Sequence, residues 1–186
     1  MRKLKLQMQM SVDGFVAGPE GQLDWMTWNM DEKLLQYITA LTDSSDTILL
    51  GRKMTGGFVD YWTSVLQKPE SPEYTFARKM VDTPKVVFSR TLEKSNWANT
   101  TLAKGKLVDE IMKLKKLGGN DIIVYGGAEF VSNLIKESLI DELNLFINPT
   151  AIGKGLKIFL DRTNLQFSKS QAYECGVVVN MYSPKK

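Results

Sequence analysis

Three segments of this chain repeat one layout: an apolar, β-branched run that closes on a glycine or an arginine and opens into a helical pattern. They are Thr47-Ile48-Leu49-Leu50-Gly51-Arg52-Lys53-Met54-Thr55, Lys85-Val86-Val87-Phe88-Ser89-Arg90-Thr91 and Ile122-Ile123-Val124-Tyr125-Gly126-Gly127-Ala128-Glu129-Phe130. A strand covered by helices on both faces reads as a continuous apolar run, which is the habit of parallel sheets. Ligands of open α/β sheets sit at the strand carboxyl ends. The layout therefore lines up Arg52, Arg90 and the pair Gly126-Gly127 along one sheet edge, a seat suited to a doubly phosphorylated ligand such as a dinucleotide.

The rest of the chain fits the same architecture. Leu4, Leu6, Met8 and Met10 alternate with polar residues as a period-two strand. A Gly/Pro-punctuated loop follows at 17–21. Asn29-Met30-Asp31-Glu32 has the form of a capping box with Asn29 as the cap, and Leu34, Leu35, Ile38 and Leu41 continue it as a helical stripe. A short helical or irregular stretch is expected from Thr55, a helix over 73–82, a short apolar element near Thr101-Leu102, and a helix over 106–117 stopped by Gly118-Gly119. Glu129 to Ser138 reads as helix and Glu142 to Pro149 as strand. Gln166–Tyr173 and Val177–Tyr182 form a closing antiparallel hairpin around Glu174-Cys175-Gly176. The expectation is one α/β domain over 1–186, with a mixed, mostly parallel sheet flanked by helices.

Composition removes several function classes. The chain has no histidine, which excludes a Ser-His-Asp triad, a Cys-His pair and the ordinary His-bearing zinc site, so no metal is expected. Its lone cysteine, Cys175, reads as a small core residue of an alternating strand, and a reducing cytoplasm fits. A formal charge of +3 is too mild for a nucleic-acid footprint. The densest basic cluster, Lys113, Lys115 and Lys116, reads as a solvated helix face. The basic start Met1-Arg2-Lys3-Leu4-Lys5 leads into alternation rather than a long apolar run, so neither signal peptide nor membrane span is expected.

At the sheet edge, glycine lets backbone approach a ligand, helix amides favour an anion, and arginine offers a planar fork for phosphate. Gly51-Arg52-Lys53 has these parts, and an ordinary tight turn with two solvated cations has them too. Ser89-Arg90 could hold a ribose 2′-phosphate or simply end a strand. Gly126-Gly127 is the stronger signal, although neither Gly-x-Gly-x-x-Gly nor a Walker A loop is present. Asp31 is the best-placed carboxylate for acid chemistry, and it also sits where a helix dipole favours any carboxylate. Trp25, Trp28, Tyr61 and Trp62 are either pocket lining for a flat heterocycle or core.

Taken in order, these motifs resemble the dihydrofolate-reductase fold, and within it the branch of the C-terminal reductase domain of bifunctional riboflavin-biosynthesis enzymes. The carriers are Ser11 to Gly18 with Leu23-Asp24-Trp25, Leu50-Gly51-Arg52-Lys53, Pro84 to Leu92, Val124 to Glu129, Asp141-Glu142-Leu143, Asn148-Pro149 and Gly153-Lys154-Gly155. The resemblance implies an NADPH-dependent reductase of a pyrimidine- or pterin-like heterocycle, acting as a homodimer. A non-catalytic nucleotide-binding protein on the same scaffold is the alternative. It further implies that Gln9, Val16 and Ala17 lie near the nicotinamide. Gly51, Arg52, Lys53, Met54 and Thr55 would hold phosphates together with Gly126, Gly127, Ala128 and Glu129, with Tyr125 beside them. Ser89, Arg90 and Thr91 would face the adenosine end, and Asp31 with Asn148 the reacting ring. The family joins its glycine pair by a cis peptide, so Gly126-Gly127 is expected to be cis. Met54 stands where the resemblance places a threonine, and Asn148 where it places the threonine that supports the acid.

Overall fold

The computed structural model describes residues 1–185. Its first strand, β1 (Leu4–Ser11), keeps the alternation of its sequence: Leu4, Leu6, Met8 and Met10 are buried, while Lys5, Gln7 and Gln9 are half-buried. The three apolar runs become β2 (Ser45–Gly51), β3 (Lys85–Phe88) and β5 (Asp121–Gly126). With β4 (Thr100–Ala103), β6 (Glu142–Asn148), β7 (Leu165–Ala172) and β8 (Val178–Pro184) they form an eight-stranded sheet in the order β4-β3-β2-β5-β1-β6-β8-β7. Strands β1 to β6 are mutually parallel, and the closing hairpin adds β8 and β7 in antiparallel fashion.

Five helices, α1 (Glu32–Asp43), α2 (Arg52–Val65), α3 (Tyr74–Asp82), α4 (Leu107–Lys116) and α5 (Ala128–Lys136), cover both sheet faces. On one face Leu4, Leu6, Leu49, Val124 and Leu143 pack with Ile111 of α4 and with Val131 and Leu134 of α5. On the other, Ile48, Leu50, Ile123 and Phe146 pack with Leu34, Ile38 and Leu41 of α1, Met80 of α3, and Phe58 and Trp62 of α2.

Local chemistry moves several expected boundaries. Asp31, not Asn29, caps α1: its backbone is extended and its carboxylate accepts from Leu34 N at 3.0 Å. Leu35 is exposed, so the buried stripe is Leu34, Ile38 and Leu41. Helix α2 begins at Arg52 and continues through Gly56-Gly57, because Thr55, Phe58, Trp62 and Val65 give it a packed face that outweighs the glycines' cost of about 1 kcal/mol each. Lys115 is not solvated. It is 4% exposed, and its Nζ donates to Leu139 O and pairs with Asp141, both at 2.6 Å, where α4 abuts the approach to β6. Cys175 lies in the β7–β8 turn rather than in a strand, and is half-buried. Lys85 is buried as well. Its Nζ donates to Val81 O and Thr83 O at the end of α3, and burial pushes its pKa down to about 8.

Candidate active site

The carboxyl ends of β2 and β5 meet directly, with Leu50 in register with Gly126. A Cβ on Gly51 would lie 2.8 Å from Gly127 N and 3.0 Å from Phe130 Cβ, so only glycine lets these two strand ends close together. Gly126 adopts φ +142°, and the Gly126-Gly127 peptide is cis. Gly51 and Gly127 then serve as N-caps of α2 and α5, and neither supplies a side-chain hydrogen bond to the helix. Two sets of first-turn amides therefore open on the same edge, the arrangement that favours a phosphate.

The side chains around this junction divide into two groups. Arg52 and Lys53 are exposed at the start of α2, and Lys53 Nζ reaches Glu129 Oε2 at 3.0 Å, linking the starts of α2 and α5. Both partners are mostly exposed, so the pair adds little stability. Ala128 opens α5. Thr55 turns inward: it is fully buried and its hydroxyl donates to Gly51 O at 3.0 Å, bracing the turn rather than facing the edge. Met54 is half-buried with its sulfur against Gly126. Just past β3, buried Ser89 accepts from Thr91 N at 3.3 Å and Leu92 N at 3.0 Å, leaving its own proton free to donate, and Arg90 and Thr91 are exposed beside it. Tyr125 lies on the face toward α1 and α2. Its hydroxyl shares a 2.9 Å hydrogen bond with Thr42, and burial pushes the phenol well above its ordinary pKa.

The second part of the site lies at the ends of β1 and β6. Asn148 is fully buried and in register with Ser11. It donates to Gln9 Oε1 at 2.8 Å and Phe146 O at 3.1 Å, and it accepts from Thr27 N at 2.8 Å. Segment 12–31 is thus tied to the floor of the sheet at Thr27. Its far end is tied at Asp31, which accepts from Leu34 N at 3.0 Å and from Cys175 N at 3.1 Å. The Cys175 amide holds the Asp31 carboxyl below the usual carboxylate range, so it is ionised at neutral pH. Among the described residues no hydrogen bond joins Asp31 to Asn148 directly. Val16 and Ala17 are buried where Val16 N meets Leu156 O and Leu156 N meets Ala17 O. Of the aromatic candidates, Trp28 and Tyr61 are exposed and Trp62 packs on Phe76.

Asp13 has a role that residue types alone did not disclose. Its carboxylate accepts from Ser11 Oγ at 2.6 Å and from Gly153 N at 2.7 Å, joining the two loops that flank Val16 and Ala17. Gln7 on β1 and Asn144 on β6 place further polar side chains in the middle of the sheet, a feature not read from residue order. The available signal was three polar residues, Lys5, Gln7 and Gln9, on one face of a strand that proves to be central. A surface hollow of about 590 Å³, lined by Arg162, Thr163, Asn164, Leu165 and Lys185, lies at the start of β7, the opposite end of the sheet from these strand carboxyl ends.

Fold and edge together define an α/β domain of the dihydrofolate-reductase type. The profile of the RibD C-terminal domain matches residues 2–179, and the chain belongs to that family. It is 32% identical over 186 residues to the uncharacterized protein YyaP of Bacillus subtilis, covering 97% of this chain and 94% of that one. Among solved structures it is similar to a Shewanella sp. PV-4 protein assigned to riboflavin biosynthesis, with a TM-score of 0.71, 24% identity and full coverage of both chains. It is also similar to the diaminohydroxyphosphoribosylaminopyrimidine deaminase/5-amino-6-(5-phosphoribosylamino)uracil reductase of Thermotoga maritima, with a TM-score of 0.70 and 16% identity over 99% of this chain and 57% of that one. Among the described residues no helix is long and apolar enough to cross a membrane.

Proposed function

We propose that this protein is an NADPH-dependent reductase of a pyrimidine- or pterin-like heterocycle. The observation that carries the reading is the junction of Gly51 with Gly126-Gly127, where two helix starts without side-chain caps share one edge, Met54 lying against Gly126 and Lys53 pairing with Glu129 at the surface. These residues fit a dinucleotide. The amides of α2 and α5 suit its pyrophosphate, and Arg52, Arg90, Thr91 and the free proton of Ser89 suit a ribose 2′-phosphate. NADPH, when bound, supplies a hydride. Val16, Ala17 and Gln9 would exclude water from its nicotinamide, and segment 12–31, pinned by Asn148 at Thr27, would cover the reacting ring. Asp31, ionised in the free protein, would take up a proton for the ring only once bound heterocycle displaces the water around it.

A second reading, a nucleotide-binding protein without turnover, draws on the inward-facing hydroxyl of Thr55 and on the Asp31 carboxylate, whose two oxygens each serve as a structural acceptor. Loss of NADPH absorbance with an aminouracil or a pterin, abolished in Asp31→Asn, supports the reductase. NADPH binding without oxidation across such a panel supports the second reading. We further propose a cytoplasmic homodimer. The edge strand β7 is exposed along most of its length, with Phe167 56% exposed, and sedimentation of a monomer at micromolar concentration would remove the homodimer.

A further inference from the structure

The two ends of the Asn148 amide cannot be exchanged. The Thr27 N–H can only donate to it, at 2.8 Å, and the Phe146 carbonyl can only accept from it, at 3.1 Å. Its oxygen therefore faces Thr27 and its nitrogen faces the sheet. That nitrogen also donates to Gln9 Oε1 at 2.8 Å, so Gln9 turns its oxygen toward Asn148 and its Nε2 away. Backbone groups thus fix the direction of both side-chain amides, one through the other. Among the described residues Gln9 Nε2 has no hydrogen-bond partner, and it is not sealed. The buried side-chain atoms left without partners are the Gln7 oxygen and the Ser45 hydroxyl, while Gln9 is half-buried. At its open side Gln9 presents N–H alone.

The path of α1 leaves this position uncovered. Two ties hold α1 down on the sheet, Tyr37 to Asn144 at 2.5 Å and Thr42 to Tyr125 at 2.9 Å. Both lie at the level of Gln7: Asn144 is its register partner on β6, and Tyr125 follows Val124, the register partner of Leu6 on β5. Gln9 is two residues, about 7 Å, nearer the strand carboxyl end. Beyond Gln7, α1 runs toward the closing hairpin, where Asp31 accepts from Cys175 N and Leu34 joins the cluster of Val177 and Val179. Helix α2 leaves from the end of β2, on the far side of β5. The carboxyl end of β1 therefore lies between the two helix starts, beneath segment 12–31, which Asn148 pins at Thr27.

We propose that Gln9 determines which ring is accepted: its Nε2 donates to a ring carbonyl of the bound heterocycle, so that an oxo group is admitted at this position and an amino group is rejected. The assignment rests on the reductase reading above. A carbonyl gives the N–H an acceptor, whereas an exocyclic amino group sets donor against donor and leaves the N–H bare. Asn148 is a positioning residue. Its amide, held by Thr27 and Phe146, keeps Gln9 from turning its oxygen to the ring.

The test compares lumazine, a dioxopteridine, with the diaminopteridine of the same shape by calorimetric titration, with and without NADP⁺. The wild type is expected to bind lumazine about 10- to 100-fold more tightly. Gln9→Met removes the N–H and erases the preference, while Asn148 keeps Phe146 O as a partner. Gln9→Glu keeps an acceptor for Asn148, turns its second oxygen to the ring and reverses the preference, which a merely structural role would not do. Thermal unfolding verifies that both variants fold. Equal affinities in the wild type, binding of neither pteridine, or a preference that survives in Gln9→Met overturns the proposal. So does a loss of NADPH affinity in Gln9→Met with the pteridine preference intact, which gives the N–H to the nicotinamide carboxamide instead. A parallel NADPH titration separates the two readings. A Gln9-dependent preference without NADPH binding removes the reductase and keeps the ring contact, whereas NADPH oxidation without the preference removes the role of Gln9 alone.

Discussion

Gly51 and Gly126-Gly127 meet backbone to backbone across two neighbouring strands, whereas Asn148, Gln9 and Asp31 are bound by side-chain hydrogen bonds to each other or to the loop and turn above. The first region is made of backbone. Its chemistry is set by the direction of amides and by the absence of Cβ atoms, so a wide range of flanking side chains serves it. The second is made of side chains whose partners lie more than a hundred residues away, as Thr27 lies from Asn148 and Asp31 from Cys175. The difference teaches how the two regions are built: the glycine junction rests on backbone geometry, and the ends of β1 and β6 rest on side-chain partners distant in sequence.

The largest effect is expected from filling the junction. Gly51→Val drives a side chain against Gly127 N and Phe130, both fixed in position, and should cost about 1–3 kcal/mol of stability while prying α2 from α5. Denaturant unfolding alongside NADPH titration reads both losses, and a variant that folds and binds like the wild type breaks the contrast. Asn148→Ala comes next. It leaves Thr27 N–H and Gln9 without their partner, at a cost of about 1–3 kcal/mol. Hydrogen exchange should accelerate at Thr27 and not at the start of α5; uniform acceleration would mean that the two regions are one cooperative unit. The smallest effect comes with acid. The Cys175 amide lowers the pKa of Asp31, and the Ser11 hydroxyl lowers that of Asp13, below the ordinary 3.8. Their contribution is therefore complete above that value and is lost as pH falls through the lowered ones. Emission from Trp25 and Trp28 should report loosening of segment 12–31 below pH 3.8 ahead of global unfolding, and a single coincident transition would contradict it.

The contrast also explains what could be read from residue order alone. Strands β2, β3 and β5 were legible because a buried parallel strand leaves a continuous apolar run, and Gly126-Gly127 because a glycine pair marks the strand end where Gly126 takes a positive φ. The start of α2 was not, since Gly56-Gly57 weakens the local helical signal and tertiary packing of Phe58 and Trp62 restores it. Lys115 looked solvated because its partners, Leu139 O and Asp141, come from another element. Asp31 was recognised as a carboxylate at a helix start. Its second partner, the Cys175 amide, needed the closing hairpin to fold back over α1. Gln7 was invisible for the same reason: its alternation with Leu6 and Met8 is ordinary for an edge strand, and only the sheet order makes it unusual.

The central claim is that the glycine junction seats the phosphates of NADPH. The most direct measurement is a titration of the wild-type protein with NADPH and, separately, with NADH, following energy transfer from tryptophan to the reduced nicotinamide. The account predicts saturable NADPH binding and much weaker NADH binding, with Arg52→Ala and Arg90→Ala narrowing that gap. Binding of neither nucleotide would contradict it.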